Sequence, residues 1–280
     1  MAAQNSTPLQ IPYVEDFQKF FYPLDRLGAG AYSVVYRCFD RKTLQKVAVK
    51  IMTCDRYDRS KLELVLTEIA ALLTLNEAGI SHIPRLFNYF ACGATDKTIK
   101  FVISMEYIDG TTLRQYYNKG LVTQDSYARI CSWLFQILAR IHEHDVVHRD
   151  IKPDNIVIKH LGNLDMYLID FGFSCSVKSS QSITECSLGS KRGTLGYIAP
   201  EVLDGSYTNL EILKKSDVFS AAATLRFLVE PDGIDRNVDK IRVKHRPPIS
   251  LVLEKCLNLD PAKRPTAAWA AQTLHNYFKF

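Results

Sequence analysis

The chain has 280 residues, about two folding units at roughly 150 residues each, and its 47% hydrophobic and 23% charged shares match an ordinary globule. Collagen-like, low-complexity and wholly disordered readings are excluded. A formal net charge of +5 is too mild to demand a nucleic-acid partner, and a small polyanionic ligand fits it equally well.

In chain order, the first half reads mostly as strands. Tyr22 to Gly30, Ser33 to Phe39 and Lys46 to Met52 are short and rich in β-branched and aromatic residues, with Gly28-Ala29-Gly30 and Asp40-Arg41-Lys42 as turns. From Asp58 to Ala78, Leu62, Val65, Leu66, Ile69, Leu72 and Leu73 recur at spacings of three and four, which predicts an amphipathic helix. Two more strands, near Arg85 to Ala91 and Thr98 to Tyr107, close this unit. After Asp109-Gly110 the chain turns helical, and Gln124 to His144 carries an apolar stripe from Tyr127 to Ile141. Short strands at Ile156 to Ile158 and Met166 to Ile169 precede a long aperiodic segment, Cys175 to Arg192. Helices return near Lys214 to Val229, Ile249 to Asn258 and Thr266 to Tyr277. The expected fold class is α+β, a small sheet-rich unit followed by a larger helical one.

Seven widely spaced cysteines, Cys38, Cys54, Cys92, Cys131, Cys175, Cys186 and Cys256, include no Cys-x-x-Cys pair, so reduced thiols are expected and zinc is not. A redox pair of Cys175 and Cys186 is a weaker alternative. The N-terminus lacks a signal-peptide pattern and no stretch reaches about 18 uninterrupted apolar residues, so a soluble intracellular protein is expected, cytoplasmic with the nucleus also open. The lone histidines His82, His142, His144, His160 and His275 show no metal spacing and read as surface or locally satisfied residues. The basic cluster from Lys240 to Arg246 reads as a solvated helix end.

Chemistry-bearing residues fall into five segments. Gly28-Ala29-Gly30-Ala31-Tyr32-Ser33 lies between two strands, where a dinucleotide fingerprint would need a strand and a helix. Glycines there allow backbone N–H groups to approach phosphate oxygens, although a plain tight hairpin fits as well. Strand alternation puts Val47, Val49 and Ile51 on one face and Ala48 and Lys50 on the other. A lysine inside an apolar strand needs a carboxylate or phosphate, and Glu68 on the following helix is the nearest candidate. A snorkelling edge lysine and a solvated helix face are the bland alternatives. His148-Arg149-Asp150-Ile151-Lys152-Pro153-Asp154-Asn155, Asp170-Phe171-Gly172 and Ala199-Pro200-Glu201 complete the set.

With all five in order, the chain resembles the eukaryotic-type protein kinases over about residues 22 to 278. The resemblance implies a bilobal fold, with an N-terminal extension at 1–21, a small β-sheet N-lobe with one regulatory helix at 22–106, and a mostly helical C-lobe at 107–278. It implies ATP and Mg2+ as cofactors and protein substrates with Ser/Thr acceptors, with no membrane span, no nucleic acid and a monomer as default. Lys50 would grip the ATP phosphates and pair with Glu68, Asn155 and Asp170 would hold magnesium, and Asp150 would act as catalytic base. Lys152 and Thr194 match the serine/threonine branch. Leu27, Gly28, Ala29, Gly30, Ala31, Tyr32 and Ser33 would cover the nucleotide, Val35 and Ala48 would roof the adenine, and Val157 would floor it. Met105, Glu106, Tyr107 and Ile108 would line the connector between lobes. Taken without the motifs, Val35, Ala48 and Val157 read as plain core.

By the same resemblance, Asp217 would tie down the His-Arg-Asp loop, Arg264 would pair with Glu201, and Leu72, Leu86, His148 and Phe171 would form an apolar stack. Departures are Ser33 at the third glycine, Phe219 for the usual Trp, Ala222 for a glycine, a short stretch between Val229 and Ile249, and Cys175 where a basic residue is common. Ser190 aligns with the common activation phosphosite and would pair with Arg149. A pseudokinase acting as a binding or scaffold protein is the alternative reading.

Overall fold

The computed structural model describes residues 10–30, 33–159, 164–176, 192–206, 209–229 and 247–278. Two compact units emerge: Met1–Leu73 with Pro84–Tyr107, and Thr74–Ile83 with Ile108–Phe280.

The first unit is a six-stranded sheet formed by β1 (Tyr13–Val14), β2 (Phe21–Ala29), β3 (Ser33–Asp40), β4 (Lys46–Asp55), β5 (Leu86–Cys92) and β6 (Thr98–Glu106), in the order β1-β5-β6-β4-β3-β2. Every pairing is antiparallel except β1 with β5. Alternation sorts β4 onto two cores. Val47 and Val49 join Phe21, Phe90 and Val102 on one face, while Ala48, Met52 and Cys54 join Ile103, Met105 and two residues of helix α1 (Arg59–Glu77), Val65 and Ile69, on the other. The β-branched residues of β4 and the 3–4 spacing along α1 account for this packing. The strand Tyr13–Val14 lies within the segment read as an N-terminal extension, 1–21.

In the second unit, α2 (Leu113–Asn118), α3 (Gln124–Glu143), α4 (Pro200–Asp204), α5 (Leu210–Phe227), α6 (Ile249–Cys256) and α7 (Ala267–Phe278) accompany two small sheets. One has the order β10-β9-β7, from β7 (Gly110–Thr112), β9 (Ile156–Lys159) and β10 (Met166–Leu168); the other pairs β8 (Val146–Val147) with β11 (Cys175–Ser176). Helix α3 starts at a reciprocal capping box between Thr123 and Ser126 and buries Ile130, Leu134, Ile137, Leu138 and Ile141. Helix α5, capped by Asn209, buries most of its length and starts four residues before the expected Lys214.

Three expectations are corrected. Gly110–Thr112 is a strand, and α2 follows it, because Thr112 and Gln115 form a capping box that starts a helix too short to show periodicity. Cys175 and Ser176 pair with Val147 and Val146, so the aperiodic segment begins with a strand. Cys175 is disulfide-bonded, while Cys38, Cys54, Cys92, Cys131 and Cys256 are free thiols. The compartment argument for reduced thiols is statistical and cannot say which sulfurs the fold brings together. Cys186, Ser190, His160 and the basic cluster 240–246 lie outside the described residues. No helix among the described residues is long and apolar enough to cross a membrane.

Candidate active site

In the first unit, β4 and α1 bring Lys50 and Glu68 together. Lys50 Nζ donates to Glu68 Oε1 at 2.8 Å and Oε2 at 2.7 Å, and the two side chains are 7% and 1% exposed. Two charges this buried persist only when paired, because each would otherwise carry a desolvation cost of several kcal/mol. Both bland alternatives, a snorkelling lysine and a solvated glutamate, are thereby ruled out. Val35 lies opposite Lys50 in the β3–β4 register and Met105 opposite Ala48 in the β4–β6 register, so all four share the face that α1 covers.

The hairpin between β2 and β3 is closed by a hydrogen bond from Gly30 N–H to Ser33 O at 2.8 Å; Ala31 and Tyr32 lie outside the described residues. A Cβ added at Gly28 would meet no protein atom within 4 Å, so packing within the chain does not require glycine there. Leu27 is exposed. Glu106 N–H donates to Arg85 O at 2.8 Å, and the Tyr107 ring lies 5.5 Å from the Arg37 guanidinium.

The second unit gathers the remaining residues around Asp150, which is buried. Thr194 Oγ1 donates to Asp150 Oδ1 at 2.7 Å, while Lys152 Nζ reaches both Asp150 Oδ2 at 2.7 Å and Thr194 Oγ1 at 2.8 Å. A closed triangle of carboxylate, ammonium and hydroxyl results. Asn155 Nδ2 donates to the Asp150 carbonyl at 2.8 Å and to Oδ2 at 3.0 Å, which orients the amide so that its Oδ1 points away from Asp150. Asp170 is exposed, and its Oδ1 accepts from Gly172 N–H at 3.3 Å. Val157 is buried in β9. Ile108 is also buried.

Support for this cluster comes from α5. Asp217 Oδ2 accepts from His148 N–H at 2.7 Å and Oδ1 from Arg149 N–H at 2.8 Å, so one fully buried carboxylate holds two consecutive amides of the loop. Those bonds help hold Arg149 at φ 69, and Asp170 sits at φ 64. Both are left-handed conformations that cost a non-glycine residue energy and that gather at functional sites. The His148 and Phe171 rings meet edge to face at 4.8 Å. Glu201 binds Arg264 through two bonds of 2.6 and 2.7 Å, and the Phe219 ring packs 4.9 Å from the same guanidinium.

Two contributors escaped the sequence. His142 Nε2 lies 3.1 Å from Asp217 Oδ2 and completes that carboxylate's bonds; its position four residues after Leu138, on the buried stripe, was the available signal. Arg114 grips both oxygens of Asp154 at 2.8 Å and donates to Tyr197 Oη at 3.0 Å, with the Phe227 ring 4.6 Å away. Nothing in the spacing of Arg114, 40 residues from Asp154, could have announced it.

With a two-unit α+β architecture and this constellation in place, the chain belongs to the protein kinase domain family, which matches residues 21–278. It is 27% identical to the liver/testis isoform of the phosphorylase b kinase gamma catalytic chain of Bos taurus, over 95% of this chain and 68% of that protein. It is also 28% identical to serine/threonine-protein kinase PAK 1 of Mus musculus, over 95% of this chain and 48% of the relative. Serine/threonine-protein kinase ste20 of Aspergillus fumigatus is 30% identical over 73% of this chain and 23% of its own length. The chain thus spans about two-thirds of the first relative and half or less of the other two.

Proposed function

We propose that the chain transfers the γ-phosphoryl group of ATP to serine or threonine hydroxyls of protein substrates. The observation that carries this reading is the triangle of Asp150, Lys152 and Thr194. A carboxylate held at three points by Lys152, Thr194 and Asn155 can align an incoming hydroxyl and accept its proton, while the Lys152 ammonium stands beside it to offset charge developing on phosphoryl oxygens. Phosphoryl transfer asks the protein for positioning and fixed charge more than for covalent chemistry, and these residues supply both.

Lys50, locked to Glu68 in an extended pose, would present its ammonium to the nucleotide phosphates, and the backbone around Gly28 and Gly30 would approach them without side-chain hindrance. Asn155 and Asp170 fit a magnesium ion: both offer hard oxygen donors, and the bonds made by Asn155 Nδ2 turn its Oδ1 away from Asp150. Two protein ligands suffice for an ion that fills its remaining positions with water and phosphate oxygens. Bound magnesium would supply charge neutralisation at the phosphates. Val35, Ala48 and Met105, on one face of the first unit's sheet, would provide apolar surface for adenine.

The test is incubation of the whole chain with γ-labelled ATP, magnesium and a generic basic protein. Label should appear on serine or threonine, and Asp150→Asn should lower kcat by about a thousandfold or more while the protein stays folded. Absence of transfer by the wild type, with Asp150→Asn indistinguishable from it, would overturn the enzyme reading in favour of a contact-only scaffold.

A further inference from the structure

The segment Gln10–Phe20 precedes every motif of the site, yet it is built into the sheet. Ala91 N–H donates to Pro12 O at 2.7 Å, Tyr13 and Val14 pair in parallel with Ala91 and Cys92, and Ala94 N–H donates to Tyr13 Oη at 3.3 Å. These contacts occupy the outer edge of β5, which would otherwise expose a row of unpaired backbone groups. Crossing that edge, the segment reaches both faces. Val14 and Phe17 pack against the cluster of Phe21, Phe90 and Val102, whereas Ile11 packs against the opposite cluster, to which α1 contributes Val65 and Ile69.

The far end of the segment is fastened separately. Asp16 caps the turn Phe17–Lys19 through Gln18 N–H at 2.9 Å, and Arg41 holds Gln18 O at 3.0 Å through its side chain and Phe20 O at 2.8 Å through its backbone. Among the described residues of the segment, Ile11 is the one that packs against the cluster containing Val65 and Ile69 of α1. Helix α1 carries Glu68 one residue before Ile69 and three after Val65, so a small retreat of that helix would open the 2.7–2.8 Å contact with Lys50.

We infer that Gln10–Phe20 is a strap whose Ile11 packs the α1 face of the sheet and so sets the position of Glu68, making Ile11 a positioning residue for the Lys50–Glu68 pair. Its kinetic consequence rests on the phosphoryl-transfer reading; its structural consequence does not.

The experiment uses the full chain as wild type, Ile11→Ala, Ile11→Val and Phe17→Ala, each with and without Glu68→Gln. Amide hydrogen exchange should rise by about tenfold across residues 60–72 in Ile11→Ala, return most of the way in Ile11→Val, and stay at the wild-type rate there in Phe17→Ala. Ile11→Ala should also lower kcat/KM by about tenfold, and the Ile11→Ala/Glu68→Gln double variant should be no slower than Glu68→Gln alone, since both remove the same pair. Unchanged exchange in α1, an equal rise in Phe17→Ala, or additive kinetic losses would each overturn the inference and leave a segment that merely stabilises the sheet. Should the wild type transfer no phosphoryl group, the kinase reading falls, and the exchange comparison still decides the strap.

Discussion

At the scale of single residues, the site depends on groups that hold one another in place. Thr194 is the clearest case, because its hydroxyl donates to Asp150 Oδ1 and accepts from Lys152 Nζ. Thr194→Val keeps the shape and removes both bonds, leaving a carboxylate with one fewer partner and an ammonium with one fewer acceptor. We expect kcat to fall by about 10- to 100-fold with KM for ATP nearly unchanged, because the loss falls on the aligned acceptor and not on nucleotide binding. Steady-state kinetics at varied ATP check this; a matching rise in KM for ATP would show that Thr194 acts elsewhere. The residues of this cluster were legible in the sequence because the loop carries three of them within six positions. Thr194 entered by resemblance, since no periodicity links it to a residue 44 positions away.

Among elements, β7 has a constraint that composition hides. Gly110 packs so tightly against β9 that an added Cβ would strike the Ile158 carbonyl and come within 2.8 Å of Val157 Cγ1. A backbone carbonyl cannot swing aside as a flexible side chain can, so the strands would have to part. Gly110→Ala should cost about 1–3 kcal/mol of stability, read as a lower urea midpoint with an unchanged slope. The same displacement would move Val157, and KM for ATP should rise with it if that residue floors the adenine. The sequence predicts that the chain turns helical after Asp109-Gly110, whereas Gly110 begins a strand and the helix follows it. Short strands and six-residue helices such as α2 carry too few residues for a period to show, and their boundaries are set by neighbours and caps.

For the molecule as a whole, stability should depend on its buried thiols at alkaline pH. Burial pushes Cys131 and Cys256 from 9.0 up to about 12, and Cys38 up to about 11. A thiol whose folded pKa lies above its unfolded value binds more protons in the folded state, so its contribution is fully present below the unfolded pKa and is lost as pH rises through the folded one. Unfolding midpoints should therefore fall steadily between pH 9 and about 12, and Cys131→Ala with Cys256→Ala should flatten that slope even while lowering stability at neutral pH. A slope unaffected by the two substitutions would assign the effect to other groups. The same burial predicts that neither thiol reacts with an alkylating reagent until the second unit unfolds.

What the sequence by itself determined is whatever follows from neighbours along the chain. Alternation through Lys46 to Met52 put Lys50 on the same face as Ala48, the 3–4 spacing from Leu62 to Leu73 placed a helix where Glu68 could pair with it, and the His-Arg-Asp loop set Asp150, Lys152 and Asn155 within reach of one another. Periods of two and 3.6 are local properties of backbone geometry, and so they survive without knowledge of the fold. Only the tertiary structure decided that His142 joins Asp217 in bracing the loop, that Arg114 neutralises Asp154, that Cys175 is disulfide-bonded and that Tyr13–Val14 finishes the sheet. Each of these joins groups far apart in the chain, and their meeting is set by how buried surfaces and unpaired polar groups are satisfied in three dimensions, which no local pattern encodes.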